Sequence, residues 1–189
     1  RCDRPICPDC MRQASVGFHC PECTKSQGQK VVRASQLRTR PVVTQALIAL
    51  NLAVFGAGLG SGLETKQSMT IDGGLIGLGQ PGNGDLIGVA HGEWWRIITS
   101  GFLHANAIHV GFNMWVLYQL GMLLEPVLGR LRFTVVYFVA MTCGALGVLL
   151  VEPNGLTVGA SGAVFGLMGV AVAVFRSRGI NPFDTGLGG

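Results

Sequence analysis

The sequence is poor in charged residues. Asp, Glu, Lys and Arg make up only 13% of its 189 residues, against roughly 25% in an average soluble domain. Hydrophobic residues make up 49%, and the mean hydropathy is +0.45, which excludes a disordered chain and argues against an ordinary soluble protein. The net charge of +4 is not gathered into a long basic stripe, so nucleic acid is not an expected partner. The composition is that of a membrane protein.

The chain also lacks the features of a natural start. It begins with Arg1 and has no signal peptide, that is, no charged segment followed by an apolar one. We therefore expect a fragment of a longer protein. The 29 glycines show no collagen-like period and lie largely within apolar stretches, where small residues allow transmembrane helices to approach each other closely.

Four windows of the sequence lack Asp, Glu, Lys and Arg altogether. They are residues 42–62, 97–124, 133–151 and 153–175. Each window reaches the ~18 to 20 residues that a helix needs to cross about 30 Å of hydrocarbon. The second is too long for one straight span, so we expect its helix to run from about residue 105 to residue 124. The sequence predicts an all-α polytopic membrane protein with four transmembrane helices.

The basic residues of the membrane region predict its orientation. Lys and Arg precede the first window, lie between the second and third, and follow the fourth, whereas residues 63–96 and 152–153 are acidic or nearly neutral. By the positive-inside rule the N-terminus is cytoplasmic and residues 63–96 are extracytoplasmic. We expect a multi-pass protein of the plasma membrane, in contact with lipid. The long external loop is rich in glycine, which makes regular helix unexpected over most of it.

A cysteine-rich module occupies residues 1–24 and holds five of the six cysteines. The two C-x2-C pairs are Cys7 with Cys10 and Cys20 with Cys23. Two such pairs supply the four sulfur ligands of a tetrahedral zinc site. Two disulfides are the alternative, but a cytoplasmic segment keeps its thiols reduced. We predict structural zinc on these four cysteines, with Cys2 and His19 as part of a possible second site.

The remaining boundaries follow the changes in composition. Residues 25–41 form a basic linker, residues 42–178 the membrane domain, and residues 179–189 the start of a loop that leads to a further helix. The zinc module is expected to serve folding or partner docking, because four cysteine ligands leave no open position for chemistry.

Three polar residues within the apolar windows require an explanation, because polar groups are costly inside a bilayer. They are His109, Asn113 and Ser161. His109 and Asn113 are four residues apart and share one helix face, and all three residues fall at a similar depth beneath the external surface. Ser161 lies between Gly159 and Gly162, near the start of the fourth window.

Two interpretations of these residues are open. A serine at a helix N-terminus is surrounded by unpaired N–H groups and the positive end of the helix dipole, which stabilise an oxyanion. The flanking glycines permit a sharp turn and a close approach of a substrate backbone, and His109 and Asn113 add donors. Alternatively, Ser161 caps the helix and the other two residues form an interhelical hydrogen bond.

The combined motifs resemble those of the rhomboid family of intramembrane serine proteases. They are Trp95-Arg96, His104-x4-His109-x3-Asn113, Glu125-x3-Gly129-Arg130 and Gly159-Ala160-Ser161-Gly162-x3-Gly166-x2-Gly169. With the cysteine module, the chain is similar to rhomboids of actinobacterial type. The resemblance implies that Ser161 is the nucleophile and that its own amide, His109 and Asn113 form the oxyanion site. It also implies close packing of small residues in the fourth helix against a sixth.

The chain departs from the family in one respect. The resemblance assigns the general base to a histidine in a sixth span, and this sequence contains four of the six core helices. A serine without an activating base is a weak nucleophile, so we expect the chain alone to be inactive and the full protein to cleave transmembrane protein substrates. The competing interpretation is a non-catalytic rhomboid-like scaffold that binds client transmembrane helices. The presence of Ser161, His109 and Asn113 favours the enzyme.

Overall fold

The computed structural model describes residues 6–13, 18–21, 40–60, 62–80 and 86–177. Cys2, Cys23, most of the predicted linker and the predicted loop at residues 179–189 lie outside the described residues. The chain divides into two compact units, Arg1–Thr39 and Arg40–Gly189. Each unit is considered by itself.

The N-terminal unit contains a turn followed by a small hairpin. The turn of 3-10 helix spans Pro8–Cys10, and the amide of Cys10 donates to the carbonyl of Cys7 over 2.9 Å. Strands β1 (Arg12–Gln13) and β2 (Phe18–His19) then pair in antiparallel fashion, with Arg12 opposite His19. Because Cys10 precedes β1 and Cys20 follows β2, the hairpin brings Cys10 and Cys20 to the same end.

The second unit is a bundle of apolar helices. Its helices are α1 (Val42–Gly60), α2 (Leu63–Gly73), the short α3 (Arg96–Thr99), α4 (Ala107–Leu128), α5 (Arg130–Val151) and α6 (Ser161–Ser177). Short 3-10 turns lie at Val89–His91 and Ser100–Phe102. In the part of the chain that the structure describes, α1, α4 and α5 are long and apolar enough to cross a membrane. The unit is an all-helical bundle with several apolar helices.

The helix bounds differ from those predicted, for local reasons. The second predicted helix begins at Ala107, after its N-cap Asn106. It extends to Leu128, because it ends only at Gly129, which has a φ of +79°. The third begins at Arg130, so its first turn carries charge. The fourth has only 17 residues, because residues 153–160 form a loop and not the helical start that the apolar window suggested. Within residues 63–96, where the glycine content made regular helix unexpected over most of the segment, Leu63–Gly73 is helical.

Close backbone contact joins α5 to α6. A Cβ added to Gly144 would lie 2.8 Å from Cα of Gly162, and one added to Gly166 would overlap Cβ of Ala140. Small residues four apart on each helix thus form the crossing, as in membrane helix pairs generally. Gly162 and Gly166 therefore contact the third membrane helix. A Cβ added to Gly169 would have no neighbour within 4 Å among the described residues.

A buried carboxylate joins α4 to the start of α1. Glu125 is 3% exposed and accepts hydrogen bonds from the amides of Val43 (3.0 Å) and Thr44 (2.8 Å) and from Oγ1 of Thr44 (2.7 Å). These amides belong to the first turn of α1, where N–H groups lack intrahelical acceptors. A negative charge is also favourable at this end of a helix, so Glu125 caps α1 from a neighbouring helix.

Candidate active site

Ser161 is the first residue of α6 and is half-buried. Val164 donates the first hydrogen bond of this helix, to the carbonyl of Ala160 over 3.0 Å. The N–H groups of Ser161 and Gly162 precede that bond, so they are not committed to the helical ladder. The sequence prediction of a serine at a helix N-terminus thus agrees with the structure.

The loop before Ser161 is held by backbone hydrogen bonds to the segment between α1 and α4. Leu75 and Thr157 exchange two bonds, from Leu75 N over 2.9 Å and from Thr157 N over 2.8 Å. The amide of Gly159 donates to the carbonyl of Ser100 over 2.9 Å. Ser161 is therefore positioned by residues far from it in sequence, which the motif analysis did not identify.

Arg96 anchors the segment between α2 and α3. Its side chain is 2% exposed and its Nε donates to Glu93 over 2.7 Å, while Nη1 donates to the carbonyls of Ile71 and Gly74. Glu93 also accepts from the amide of Gly88 over 2.6 Å. The hydrogen bond from Arg96 lowers the pKa of Glu93 below its ordinary value. The ion pair therefore organises the segment that holds the loop before Ser161.

His109 lies against the same loop. Gly159 has a φ of +129°, and a Cβ added to it would lie 2.7 Å from Cε1 and 2.8 Å from Nε2 of His109. Only glycine combines this backbone conformation with such a close ring contact. Gly159 thus brings the imidazole of His109 to the start of α6, two residues from Ser161.

Asn113 lies one turn further along α4 and is 4% exposed. Its Nδ2 donates to the carbonyl of His109 over 3.0 Å. The backbone amide of His109 in turn donates to Oδ1 of Asn106, the N-cap of α4, over 2.9 Å. One N–H of the Asn113 amide is therefore engaged within its own helix.

His104 is buried beside His109. The two ring centroids are 5.1 Å apart with an interplanar angle of 66°, a T-shaped contact. His104 is 4% exposed, and among the described residues neither ring nitrogen has a partner of full hydrogen-bond geometry, although the backbone of Phe102 makes a weak contact with the ring. Burial, with a smaller contribution from the charge of His109, lowers the pKa of His104 to about 4. The ring of His104 is therefore neutral at physiological pH.

A cavity of about 220 Å³ opens beside Ser161. Its lining includes small residues from α5 and the 3-10 turn before α4, namely Gly101, Gly144 and Ala145, together with Gly159 and Gly162. The cavity is large enough for an aliphatic side chain. The site therefore combines a hydroxyl at a helix start, free N–H groups, a neighbouring imidazole and a space beside them.

Comparison with known proteins agrees with this arrangement. A family model described as "Rhomboid domain" matches residues 91–183, which include Ser161, His104, His109 and Asn113. The chain belongs to the rhomboid family.

Curated relatives of this rhomboid chain come from bacteria and eukaryotes. The Bacillus subtilis protein YdcA is 46% identical over 95 residues, which cover 49% of this chain and 48% of YdcA. "Rhomboid protease GluP" of the same organism is 30% identical over 155 residues, covering 82% of this chain and 29% of GluP. "Rhomboid-like protease 1" of Toxoplasma gondii is 39% identical over 85 residues, which cover 44% of this chain and 29% of that protein. The chain spans less than half the length of each.

The predicted zinc ligands of this rhomboid chain are partly described. Cys7 and Cys10 are exposed and Cys20 is 7% exposed, whereas Cys23 and Cys2 lie outside the described residues and nothing is described of the His19 side chain. Within the described ranges, no group of three or more His, Cys, Asp or Glu side chains is placed to hold a metal. The zinc set therefore stays a prediction.

Proposed function

We propose that the protein is a membrane serine protease that cleaves a peptide bond in or near the transmembrane segment of another membrane protein. The observation that carries this proposal is the contact of His109 with Gly159, which brings an imidazole to the helix start at Ser161. The names of the relatives, "Rhomboid protease GluP" and "Rhomboid-like protease 1", support a proteolytic function.

In the proposed reaction, Oγ of Ser161 attacks the carbonyl carbon of the substrate and the C–N bond breaks. The hydroxyl proton passes through a general base to the leaving amine, and water then hydrolyses the acyl-enzyme. The N–H of Ser161, the ring of His109 and the amide of Asn113 stabilise the oxyanion, as such donors do in acyl transfer. The cavity beside Ser161 receives a substrate side chain.

The general base is assigned to a histidine in a span beyond those described. Among the described residues no side chain accepts a hydrogen bond from Ser161, and the resemblance to the family implies a sixth-helix histidine. The present chain should therefore neither cleave substrates nor react with serine-directed reagents, because a serine without a base is a weak nucleophile.

The decisive experiment uses the full-length protein in proteoliposomes with a model transmembrane substrate. Ser161→Ala should abolish both cleavage and covalent labelling by a fluorophosphonate, while leaving the protein folded. His109→Ala and Asn113→Ala should reduce the rate by about 10²- to 10³-fold, the cost of removing one oxyanion donor where it has been measured. Cleavage that survives Ser161→Ala would overturn the assignment. Substrate binding without any cleavage would instead support a rhomboid-like scaffold.

We also propose that the N-terminal module binds one structural zinc ion through Cys7, Cys10, Cys20 and Cys23. The turn at Cys7 and the hairpin between the cysteine pairs support this set. Purified protein should contain about one equivalent of zinc, and Cys7→Ser with Cys10→Ser should remove it. Cys143→Ser is the matched control, because Cys143 is exposed on α5 and belongs to neither pair. Metal-free protein with two disulfides inside the cell would contradict the proposal.

The orientation is a further part of the proposal. The protein lies in the plasma membrane. By the positive-inside rule its N-terminus is in the cytoplasm. In intact cells, a membrane-impermeant maleimide should label Asn154→Cys, which is exposed in the loop between α5 and α6. It should not label Arg130→Cys, which is exposed at the opposite end of α5. The reverse result would invert the topology.

A further inference from the structure

His104 is a buried ionisable side chain that the proposed reaction does not use. Among the described residues neither ring nitrogen has a partner of full hydrogen-bond geometry although the residue is 4% exposed, and the backbone of Phe102 offers only a weak contact. Buried polar groups are nearly always hydrogen-bonded, so an exception calls for an explanation. Because one weak contact fixes little of the position of this imidazole, the larger part of its contribution to the structure comes from the shape and packing of its ring.

The ring of His109 is in turn held by packing. The backbone of His109 is fixed by Asn106 and Asn113. In the part of the chain that the structure describes, its imidazole makes no recorded hydrogen bond and instead contacts Gly159 and the ring of His104. The rotation of this ring therefore depends on two neighbours, Gly159 and His104, and only His104 has a side chain.

We propose that His104 is a positioning residue whose ring holds the imidazole of His109 against Gly159. The T-shaped arrangement, with centroids 5.1 Å apart, is a preferred geometry for two flat rings. For catalysis, this packing would set the direction in which His109 points its N–H toward the oxyanion. That consequence rests on the proposed function. The packing itself does not depend on that function.

The proposal distinguishes ring shape from hydrogen bonding. His104→Phe keeps a flat ring and removes both nitrogens, whereas His104→Gln keeps polar atoms and removes the ring. If packing is the role, phenylalanine should replace His104 and glutamine should not. If a hydrogen bond is the role, the order should be reversed, and the proposal would be wrong.

The first test observes the His109 ring directly and needs no activity. The chain is labelled with ¹³C and ¹⁵N only in its four histidines and studied by NMR in detergent micelles. His109→Gln assigns the His109 signals. In His104→Phe these signals should stay sharp, apart from a shift caused by the new ring, whereas in His104→Gln they should broaden or split. His91→Gln, at an exposed position, is the matched control and should leave them unchanged.

A second measurement covers the case in which a variant does not fold. In the unmodified chain, the ring protons of His104 and His109 should show a nuclear Overhauser effect, because the centroids are 5.1 Å apart. Absence of this effect in the folded chain would overturn the proposal, as would His109 signals that remain unchanged in His104→Gln.

The third test measures the consequence in the full-length protein. His104→Gln should lower kcat by about 10- to 100-fold with KM nearly unchanged, the scale expected for a misplaced catalytic group, and His104→Phe should restore most of the rate. If the NMR result holds and no variant shows activity, the proposed protease function fails while the positioning stands. If the full-length protein cleaves normally with His104→Gln, the positioning role fails and the protease function stands.

Discussion

Replacement of Gly121 by alanine should break the cap between α4 and α1. A Cβ at Gly121 would overlap Oγ1 and Cγ2 of Thr44, which is fully buried. Thr44 must then move, and its Oγ1 loses the 2.7 Å hydrogen bond to Glu125. A hydrogen bond to a charged group contributes about 1.5–3 kcal/mol, and overpacking costs about 1–3 kcal/mol.

Alanine also favours the helix over glycine by about 1 kcal/mol, so the expected net loss for Gly121→Ala is about 1.5–5 kcal/mol. Gly111→Ala lies on the same helix, where an added Cβ has no neighbour within 4 Å among the described residues. It should be neutral or stabilising by up to about 1 kcal/mol. Equilibrium unfolding in mixed micelles of dodecylmaltoside and SDS, followed by circular dichroism, measures both variants.

A double-mutant cycle isolates the hydrogen bond. Thr44→Val removes Oγ1 and keeps the branched shape, so Gly121→Ala should cost less in that background by about 1.5–3 kcal/mol. Equal stability of the Gly121→Ala and Gly111→Ala variants would refute the reasoning, since the first clashes with a buried side chain and the second does not. Coupling near zero would refute the role of the Thr44 hydroxyl.

Three further outcomes are expected. Glu93→Gln should loosen the loop that Arg96 holds, and limited proteolysis would show this as faster cleavage. Because the pKa of Glu93 is lowered in the folded state, the difference in cleavage rate between the variant and the unmodified chain should be full above a pH of about 4.5 and should vanish at lower pH. Gly166→Ala, which overlaps Ala140, should destabilise the bundle by about 1–3 kcal/mol in the same unfolding assay, while Gly169→Ala should not. Because the folded-state pKa of His104 is about 4, the unfolded chain binds this proton more readily, so stability should fall by up to about 3 kcal/mol between pH of about 6.5 and 4, and His104→Phe should remove that part of the loss.

The sequence predicted those features that depend on local periodicity and spacing. Charge-free windows predicted the apolar helices, and the glycines around Ser161 predicted a sharp turn near the start of the last one. The window overestimated the length of the last helix, because residues 153–160 carry no charge but form a loop that pairs with Leu75 and Ser100 through its backbone. Such backbone bonds involve no particular side chain and therefore leave little trace in a sequence.

Glu125 shows the same limit for a side chain. Its place in a motif was evident, but its three donors lie 81 or 82 residues earlier in the chain. The roles of Arg96 and Gly121 likewise depend on what lies opposite them in the folded bundle. Spacing identifies residues that share one helix face, whereas contacts between helices require their relative positions.

The glycine crossing of α5 and α6 has a consequence for motion. With Gly144 in contact with Gly162, neither helix has a side chain between the two backbones that a rotamer change would rearrange. Sliding of one helix along the other would press the two backbones together at this point, which resists relative motion of α5 and α6. Ser161, the residue before Gly162, is thereby held close to the third membrane helix. We expect movement around the site to involve the other segments more than this pair.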